Sequence, residues 1–283
     1  IDRNTNINIA VTNVTNDEVF QALKQSKNSF TSGADGIPSF ILKDCAAALT
    51  EPLTYLYNLV LSNGKIPPAW KKSVICLVLK NGDASNIGNY RPITLLCNFA
   101  KVLESVLYNR IYASIKYTIS SVQHGFMKNR STLTNLLCMT QDISETLDDN
   151  GQMDVIYTDF QKAFDIINHQ ILLEKMRLHG FSGPLLSLFR SYLIDRQHCV
   201  RYRNCLSESF VPTSGVPQGS NLGPLLFLLF INDLPVNMSC DKLLFADDLK
   251  LYYKISSIDD CRTLQENVNT LYLWCRTNQM ILN

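Results

Sequence analysis

The chain has 283 residues, of which 46% are apolar and 18% charged, with a formal net charge of +1. That composition can bury enough surface to offset chain entropy, which excludes a solvated linker or an acidic tail, and the length suits two or three subdomains. The longest nearly apolar run, Leu222 to Leu234, is interrupted by Gly, Pro, Asn and Asp and falls short of the roughly 20 residues of a membrane span, so no membrane partner is expected.

Along the chain, Thr15 followed by Glu18 is a capping box that opens a short helix running to about Ser26. The cluster Ser32 to Gly36 is a turn, and Pro38 suits the first turn of a longer helix carrying Phe40, Ile41, Leu53, Leu56, Tyr57 and Val60. That helix is expected to be interrupted near Pro52 and stopped by Asn63-Gly64. Val74 to Leu79 reads as a buried strand, followed by the turn Lys80 to Asp83, and Phe99 to Ile115 as a helix. Met153 to Asp159 reads as a strand, and Asn168 caps a helix that Gly180 stops. Ser214 to Ser220 is a Gly- and Pro-containing turn into an apolar helix. Leu243 to Ala246 and Leu249 to Tyr253 form a hairpin joined at Asp247-Asp248, and Cys261 to Trp274 is a further helix. This order implies an α+β layer with helices on one face of an antiparallel sheet.

The near-neutral average hides an asymmetry. Residues 60–130 hold ten Lys or Arg against two acids, leaving 16 basic and 23 acidic residues elsewhere. A cationic module joined to an anionic one suits a polyanion held on one side and divalent cations on the other. Solvated helix faces are the other source of such runs. The nine cysteines, odd in number and without a C-x2-C pair, argue against a zinc site or a disulfide framework. They are expected to be reduced, mostly buried thiols in an intracellular reducing compartment, nucleus and cytoplasm being indistinguishable. The opening Ile1-Asp2-Arg3-Asn4 lacks an initiator Met and a signal pattern, so the chain reads as an excerpt of something longer.

Acids seldom sit at the tips of strongly apolar strands, because an ionised carboxylate there is costly unless a positive charge compensates it. Asp159 ends Val155-Ile156-Tyr157-Thr158, and Asp247-Asp248 ends Leu243-Leu244-Phe245-Ala246. If the hairpin pairs beside the first strand, three carboxylates converge at one edge, where bound Mg²⁺ would relieve their repulsion. Two such ions activate an attacking hydroxyl and stabilise a departing pyrophosphate. Taken alone, an Asp-Asp pair between strands is also an ordinary hairpin loop.

Six motifs in order carry a resemblance over residues 30–283. They are Ala34-Asp35-Gly36-Ile37-Pro38, Asn89-Tyr90-Arg91-Pro92-Ile93, Gln123-His124-Gly125-Phe126, Thr158-Asp159-Phe160 with Lys162-Ala163-Phe164-Asp165, Ser214-Gly215-Val216-Pro217-Gln218-Gly219-Ser220, and Phe245-Ala246-Asp247-Asp248. With these the chain resembles the reverse transcriptase of non-LTR retrotransposons, in particular jockey-like and related insect LINE elements. The resemblance implies a right-hand polymerase fold: an N-terminal extension with a short helix over residues 1–30, basic fingers over 31–150, and a catalytic palm over 151–283, a small antiparallel sheet packed on helices.

By the same resemblance, Asp159 and Asp247 are metal ligands together with the Phe160 carbonyl, and Asp248 is the second member of the paired acid. The cofactor would be two Mg²⁺ ions, or Mn²⁺ in their place. Lys80 and Arg91 match the cations that clamp an incoming triphosphate, although Asn81 stands where relatives often have a second Lys. Gln218 and Gly219 match the turn that contacts nucleotide and template. Gln123, Phe126 and Arg130 resemble a template-facing strip, with packing or surface roles as the other reading. Phe164, five residues after Asp159, occupies the place of a bulky residue beneath the sugar, where a 2′-hydroxyl would collide with the ring; a core Phe is the alternative. Phe164 and Ala246 both differ from the pattern of RNA-templated RNA polymerases, which carry an acid and a Gly there.

The sequence therefore implies an RNA-directed DNA polymerase joining dNTPs to a primer 3′-hydroxyl on an RNA template. A non-catalytic nucleic-acid-binding remnant of a mobile element is the alternative. A two-metal nuclease shares the carboxylates but leaves Lys80, Arg91 and Phe164 without a role. A thumb and an endonuclease domain are expected in the longer parent polyprotein.

Overall fold

The computed structural model describes residues 8–203 and 205–283, so the first seven residues of the expected N-terminal extension and Asn204 lie outside it. Thr15 opens α1 (Asn16–Lys24) with the expected reciprocal bonds, Glu18 N–H to Thr15 Oγ1 at 3.3 Å and Thr15 N–H to Glu18 Oε2 at 2.9 Å. The helix expected after Pro38 is two helices, α2 (Ser39–Asp44) and α3 (Ala46–Asn63), broken at Cys45 and not near Pro52. Pro52 lies inside α3 because Ala48, whose carbonyl would receive the missing bond, is exposed to water. Gly64 ends α3 with φ of 59°, as Asn63-Gly64 suggested.

A short helix, α4 (Pro68–Lys71), leads into β1 (Lys72–Leu79). Only residues 73–75 of β1 are buried; Val78 and Leu79 run out to solvent, which corrects the reading of a wholly buried strand and carries Lys80 clear of the core. β1 pairs antiparallel with β2 (Tyr90–Leu96), Val78 opposite Arg91 and Leu79 opposite Tyr90, so Lys80 and Arg91 emerge at one end of the sheet.

Next come α5 (Asn98–Ile115), α6 (Thr132–Asp148), β3 (Gln152–Thr158), α7 (His169–Leu178), α8 (Gly183–Leu193), β4 (Gln197–Tyr202) and β5 (Cys205–Leu206). β4 pairs in parallel with β1, giving a four-stranded sheet in the order β2-β1-β4-β5. Strands from both sides of residue 150 thus share one sheet.

The remaining elements are α9 (Gly223–Ile231), β6 (Asp241–Phe245), β7 (Asp248–Ile255) and α10 (Ile258–Asn278). β3, β7 and β6 form a three-stranded antiparallel sheet in that order. Leu244, Leu249 and Leu251 face the main core, whereas Leu243 and Tyr252 pack with Met139 of α6. Helices therefore cover both faces of this sheet, not one as expected, because α6 lies over the second face. α9 is apolar on every side, and Leu225 to Ile231 are each 1% exposed or less, which makes it the central helix of the core.

Among the described residues no helix is long and apolar enough to cross a membrane. All nine cysteines are free, but only Cys97, Cys240 and Cys275 are buried, which corrects the expectation of mostly buried thiols.

Candidate active site

The three-stranded sheet brings the acids together. Thr158 pairs with Leu249 and Phe245 with Asp248, so Asp159, one residue past β3, lies beside the start of β7. The hairpin tip is Ala246-Asp247, one residue earlier than expected, with Asp248 already paired in β7. A two-residue hairpin loop needs a positive φ at its first position, and Ala246 supplies 56° at a cost of about 1–2 kcal/mol.

What holds that strained tip is the segment from Val122 to Phe126. His124 N–H donates to the Leu244 carbonyl at 2.8 Å, and Leu244 N–H to the Val122 carbonyl at 2.9 Å. The Gln123 carboxamide oxygen accepts from Ala246 N–H at 2.9 Å and its Nε2 donates to the Ala246 carbonyl at 3.2 Å. At 2% exposure Gln123 does not face a template as expected; its polar side chain points inward because the turn consumes it. A Cβ on Gly125 would sit 2.1 Å from Ala246 N, so only glycine permits this approach. Arg130 Nη1 clamps the Ser121 and Gln123 carbonyls, both at 2.6 Å.

Lys80, Arg91, Asp159, Phe160, Phe164, Gln218 and Asp247 line one open cleft of about 800 Å³. Phe164 forms part of its wall: the ring stacks on Phe227 of α9 with centroids 4.7 Å apart and meets Phe126 edge-on at 6.0 Å. Phe126 is 42% exposed, so this edge of the aromatic set reaches solvent. Gln218 is fixed from two sides, its carbonyl accepting from Thr94 N–H at 2.7 Å and its Nε2 donating to Asp165 Oδ1 at 2.9 Å. Gly219, with φ of 105°, does not line this cleft; it opens instead on a neighbouring depression beside Asn98 and Lys101. The next residues are anchored by a buried acid, since Glu104 accepts from Asn221 N–H at 2.7 Å and from the Tyr192 hydroxyl at 3.0 Å.

Burial, reinforced by Asp248 and Asp159, pushes the Asp247 carboxyl above its ordinary range, and Lys80 opposes this. Asp248 is shifted the same way by burial and then by Asp159. Among the described residues no three His, Cys, Asp or Glu side chains are gathered closely enough to hold a metal ion. The oxygen donors expected for a metal, the Asp159 and Asp247 carboxylates and the Phe160 carbonyl, belong to residues that line the cleft, where the Asp165 carboxylate is a further acid, one oxygen of it accepting from Gln218. Phe160 bridges to Leu282 through bonds made by its neighbours, Gln161 N–H to the Ile281 carbonyl at 2.8 Å and Asn283 N–H to the Asp159 carbonyl at 2.9 Å. Its own carbonyl takes no part in either bond.

Sequence reasoning missed two residues here. Asp165 was visible only as the last residue of Lys162-Ala163-Phe164-Asp165, and Asn283, which also lines the cleft, carried no local signal.

A small antiparallel sheet with acids at its tip, faced by a basic strand end and a Gln-bearing turn, is the architecture of a nucleic-acid polymerase domain. Residues 78–283 match the reverse transcriptase (RNA-dependent DNA polymerase) family, and the chain belongs to it. Its relatives place it with the type carried by non-LTR mobile elements, as the motifs implied. It is 32% identical over 92% of its length to the probable RNA-directed DNA polymerase from transposon BS of Drosophila melanogaster, of which it covers 30%. It is 28% identical over 82% of its length to the RNA-directed DNA polymerase from mobile element jockey of the same organism, covering 26% of it. The chain thus spans less than a third of these relatives. Apo telomerase from Candida tropicalis, truncated from its C-terminal domain, superposes with a TM-score of 0.53 at 13% identity, over 83% of this chain and 54% of the telomerase chain. The α+β fold is that of reverse-transcriptase-like polymerases.

Proposed function

We propose that this chain is the polymerase portion of an RNA-directed DNA polymerase of a non-LTR mobile element, extending a DNA primer along an RNA template with dNTPs. The observation that carries the proposal is the shared cleft of Asp159, Asp247, Lys80, Arg91, Phe164 and Gln218. In this reading the segment 31–150 acts as fingers and 151–283 as palm, and the reaction belongs to an intracellular, reducing compartment.

Asp159, Asp247 and the Phe160 carbonyl are hard oxygen donors, and the cost that burial and then the neighbouring acids place on the Asp247 charge is what a divalent cation would relieve. They would hold the metal, Asp248 adding negative charge from β7. When bound, two Mg²⁺ ions supply activation of the primer hydroxyl and neutralisation of the pyrophosphate that leaves. The protein's own contribution is placement. The Arg91 guanidinium offers a planar fork to the triphosphate and Lys80 a point charge. Gln218, braced by Thr94 and Asp165, fixes the wall against which the nucleotide sits. Phe164 presents its ring where a 2′-hydroxyl would have to fit.

A non-catalytic remnant is disfavoured because all three acids, both cations and the brace around Gln218 are intact. Primer extension on poly(rA)·oligo(dT) with Mg²⁺ tests the proposal: wild-type protein should add dTMP, and Arg91→Ala should raise the dNTP KM far more than it weakens primer-template binding. No incorporation by the correctly folded chain, with duplex binding retained, returns the reading to a remnant.

A further inference from the structure

The basic segment 60–130 does not converge on the cleft. Of its ten cations, only Lys80 and Arg91 line it. Arg110 is paired with Glu18, Arg130 clamps two carbonyls, and Lys116 and Lys128 lie over tyrosine rings. Lys101 is half-buried next to Glu104. Lys65, Lys71 and Lys72 are left, and they gather at the opposite end of β1.

There they meet Arg190 of α8 along an open groove of about 1180 Å³ between α3, α4 and α8. Asp195 is its only acid. Lys65, Lys72 and Arg190 are exposed, and none takes part in an ion pair among the described residues. Lys71 has a structural duty, its Nζ donating to the Ile194 carbonyl at 3.2 Å. Leu56 and Leu59, one helical turn apart on α3, give the groove an apolar wall. Three solvated cations without acid partners on one concave surface form a local positive field, whose natural complement is a polyanion.

We propose that this groove is a second nucleic-acid site, binding the phosphate backbone of single-stranded RNA outside the catalytic cleft. The proposal rests on the polymerase reading for its choice of polyanion. β1 spans eight residues between the groove and Lys80, roughly 25 Å at about 3.3 Å per residue. A strand rising about 3.4 Å per nucleotide covers that span in about eight nucleotides, so a template of ordinary length reaches both sites. The groove would hold the RNA that lies beyond the primer-template contact, without reading its sequence, because backbone contacts carry no base information.

The test is fluorescence anisotropy across a salt series with RNA of about 40 nucleotides, comparing wild type with the triple variant Lys65→Glu, Lys72→Glu, Arg190→Glu. A matched triple variant, Lys24→Glu, Lys116→Glu, Arg276→Glu, changes net charge equally at exposed positions elsewhere. At about 0.7 per phosphate contact for a single strand, three lost contacts should reduce the log–log salt slope by about 2 and weaken low-salt binding about tenfold or more. The matched variant should keep both values, and extension of a short primer-template should be unchanged in all three proteins. The corresponding Gln triple adds no repulsion and should lose the same slope, which guards against a folding defect in the Glu set. Equal losses in both Glu triples, or none in the groove triple, overturn the proposal. So does a groove triple that keeps RNA and loses polyglutamate, which would assign the groove to an acidic polypeptide. Because the readout is binding, a chain without polymerase activity would sink the functional reading and leave this test intact.

Discussion

The Asn283 carboxamide donates to the Asp159 carboxylate at 2.7 Å while its backbone N–H donates to the Asp159 carbonyl at 2.9 Å. One residue therefore fixes both ends of Asp159, and the carboxylate oxygen it leaves free is directed by that bond. Replacing the carboxamide should leave the bridge intact and release the side chain. Asn283→Ala is expected to cut primer extension about 10- to 100-fold, with the Mg²⁺ concentration for half-maximal rate moving upward. A lowered rate with an unchanged Mg²⁺ dependence would mean that Asn283 only holds the backbone.

Asp247 is both an acid that burial and its acidic neighbours shift upward and a proposed metal ligand, so its two roles pull in opposite directions. Its carboxyl titrates above the ordinary range in the folded state, which means that folding favours the protonated form and that the ionised form weakens the fold. The stabilising contribution is full below the unfolded pKa and lost as pH rises through the folded one. Asp247→Asn should therefore melt higher than wild type at pH 7.5 in EDTA and lose extension by about a thousandfold or more. Adding Mg²⁺ should raise the wild-type melting temperature and not the variant's. Extension at the wild-type rate would remove Asp247 from the site.

A second pH dependence arises away from the cleft, on the face that β4 shares with β1. His198 is 6% exposed and lies opposite Ser73, and burial, then the Arg196 charge, depresses its imidazole to about 4. His198 Nε2, Ser73 Oγ, and Nε and Nη2 of Arg196 are buried without partners, so a proton added there meets the Arg196 cation and no carboxylate. The unfolded chain takes that proton near pH 6.5, so stability should be full above that pH and fall as pH drops toward 4, by at most about 3 kcal/mol. The other histidines shift in the same direction, which makes the difference from His198→Gln the informative quantity. Equal pH slopes for the two proteins between pH 4 and 6.5 would show that His198 does not titrate in this window.

The acids and the palm-type sheet were legible because they break a local rule: ionisable groups at the ends of apolar strands demand a compensating function. β2 was hidden by Pro92, which an edge strand tolerates because its missing N–H has no neighbour to serve. α6 was hidden by its own exposure, since Leu133, Leu136, Leu137 and Leu147 face solvent and leave Met139 as its buried apolar residue. β4 exists through pairing with β1, far earlier in the chain, and no local pattern announces such a contact. Gln123 was placed on a template-facing strip by resemblance, with packing as the other reading, and the packing reading holds because the strained Ala246-Asp247 turn, four strands later in the chain, takes up its carboxamide. Asn283 likewise acts through a bridge that exists only once the fold has closed.

The position of Phe164 is compatible with both readings that the sequence left as alternatives, the proposed sugar gate and a packed ring. Its ring lines the cleft beside Asp159, and it also stacks on Phe227 and meets Phe126 edge-on. In the proposed gate the stack would be what holds the ring rigid, because a mobile side chain would yield to a 2′-hydroxyl at little cost. Phe164→Val should therefore act on both properties at once. Selectivity for dATP over rATP should collapse while dATP insertion survives, since no carboxylate is touched. The melting temperature should fall as well, the lost packing costing about 1–3 kcal/mol. Phe227→Leu supplies the separating measurement, because it loosens the stack from behind and leaves the ring at the cleft. It should relax sugar selectivity partway at a similar loss of stability. Unchanged sugar selectivity in both destabilised variants would leave Phe164 as packing alone, and full selectivity in Phe227→Leu with none in Phe164→Val would show that the ring excludes the hydroxyl without needing its support.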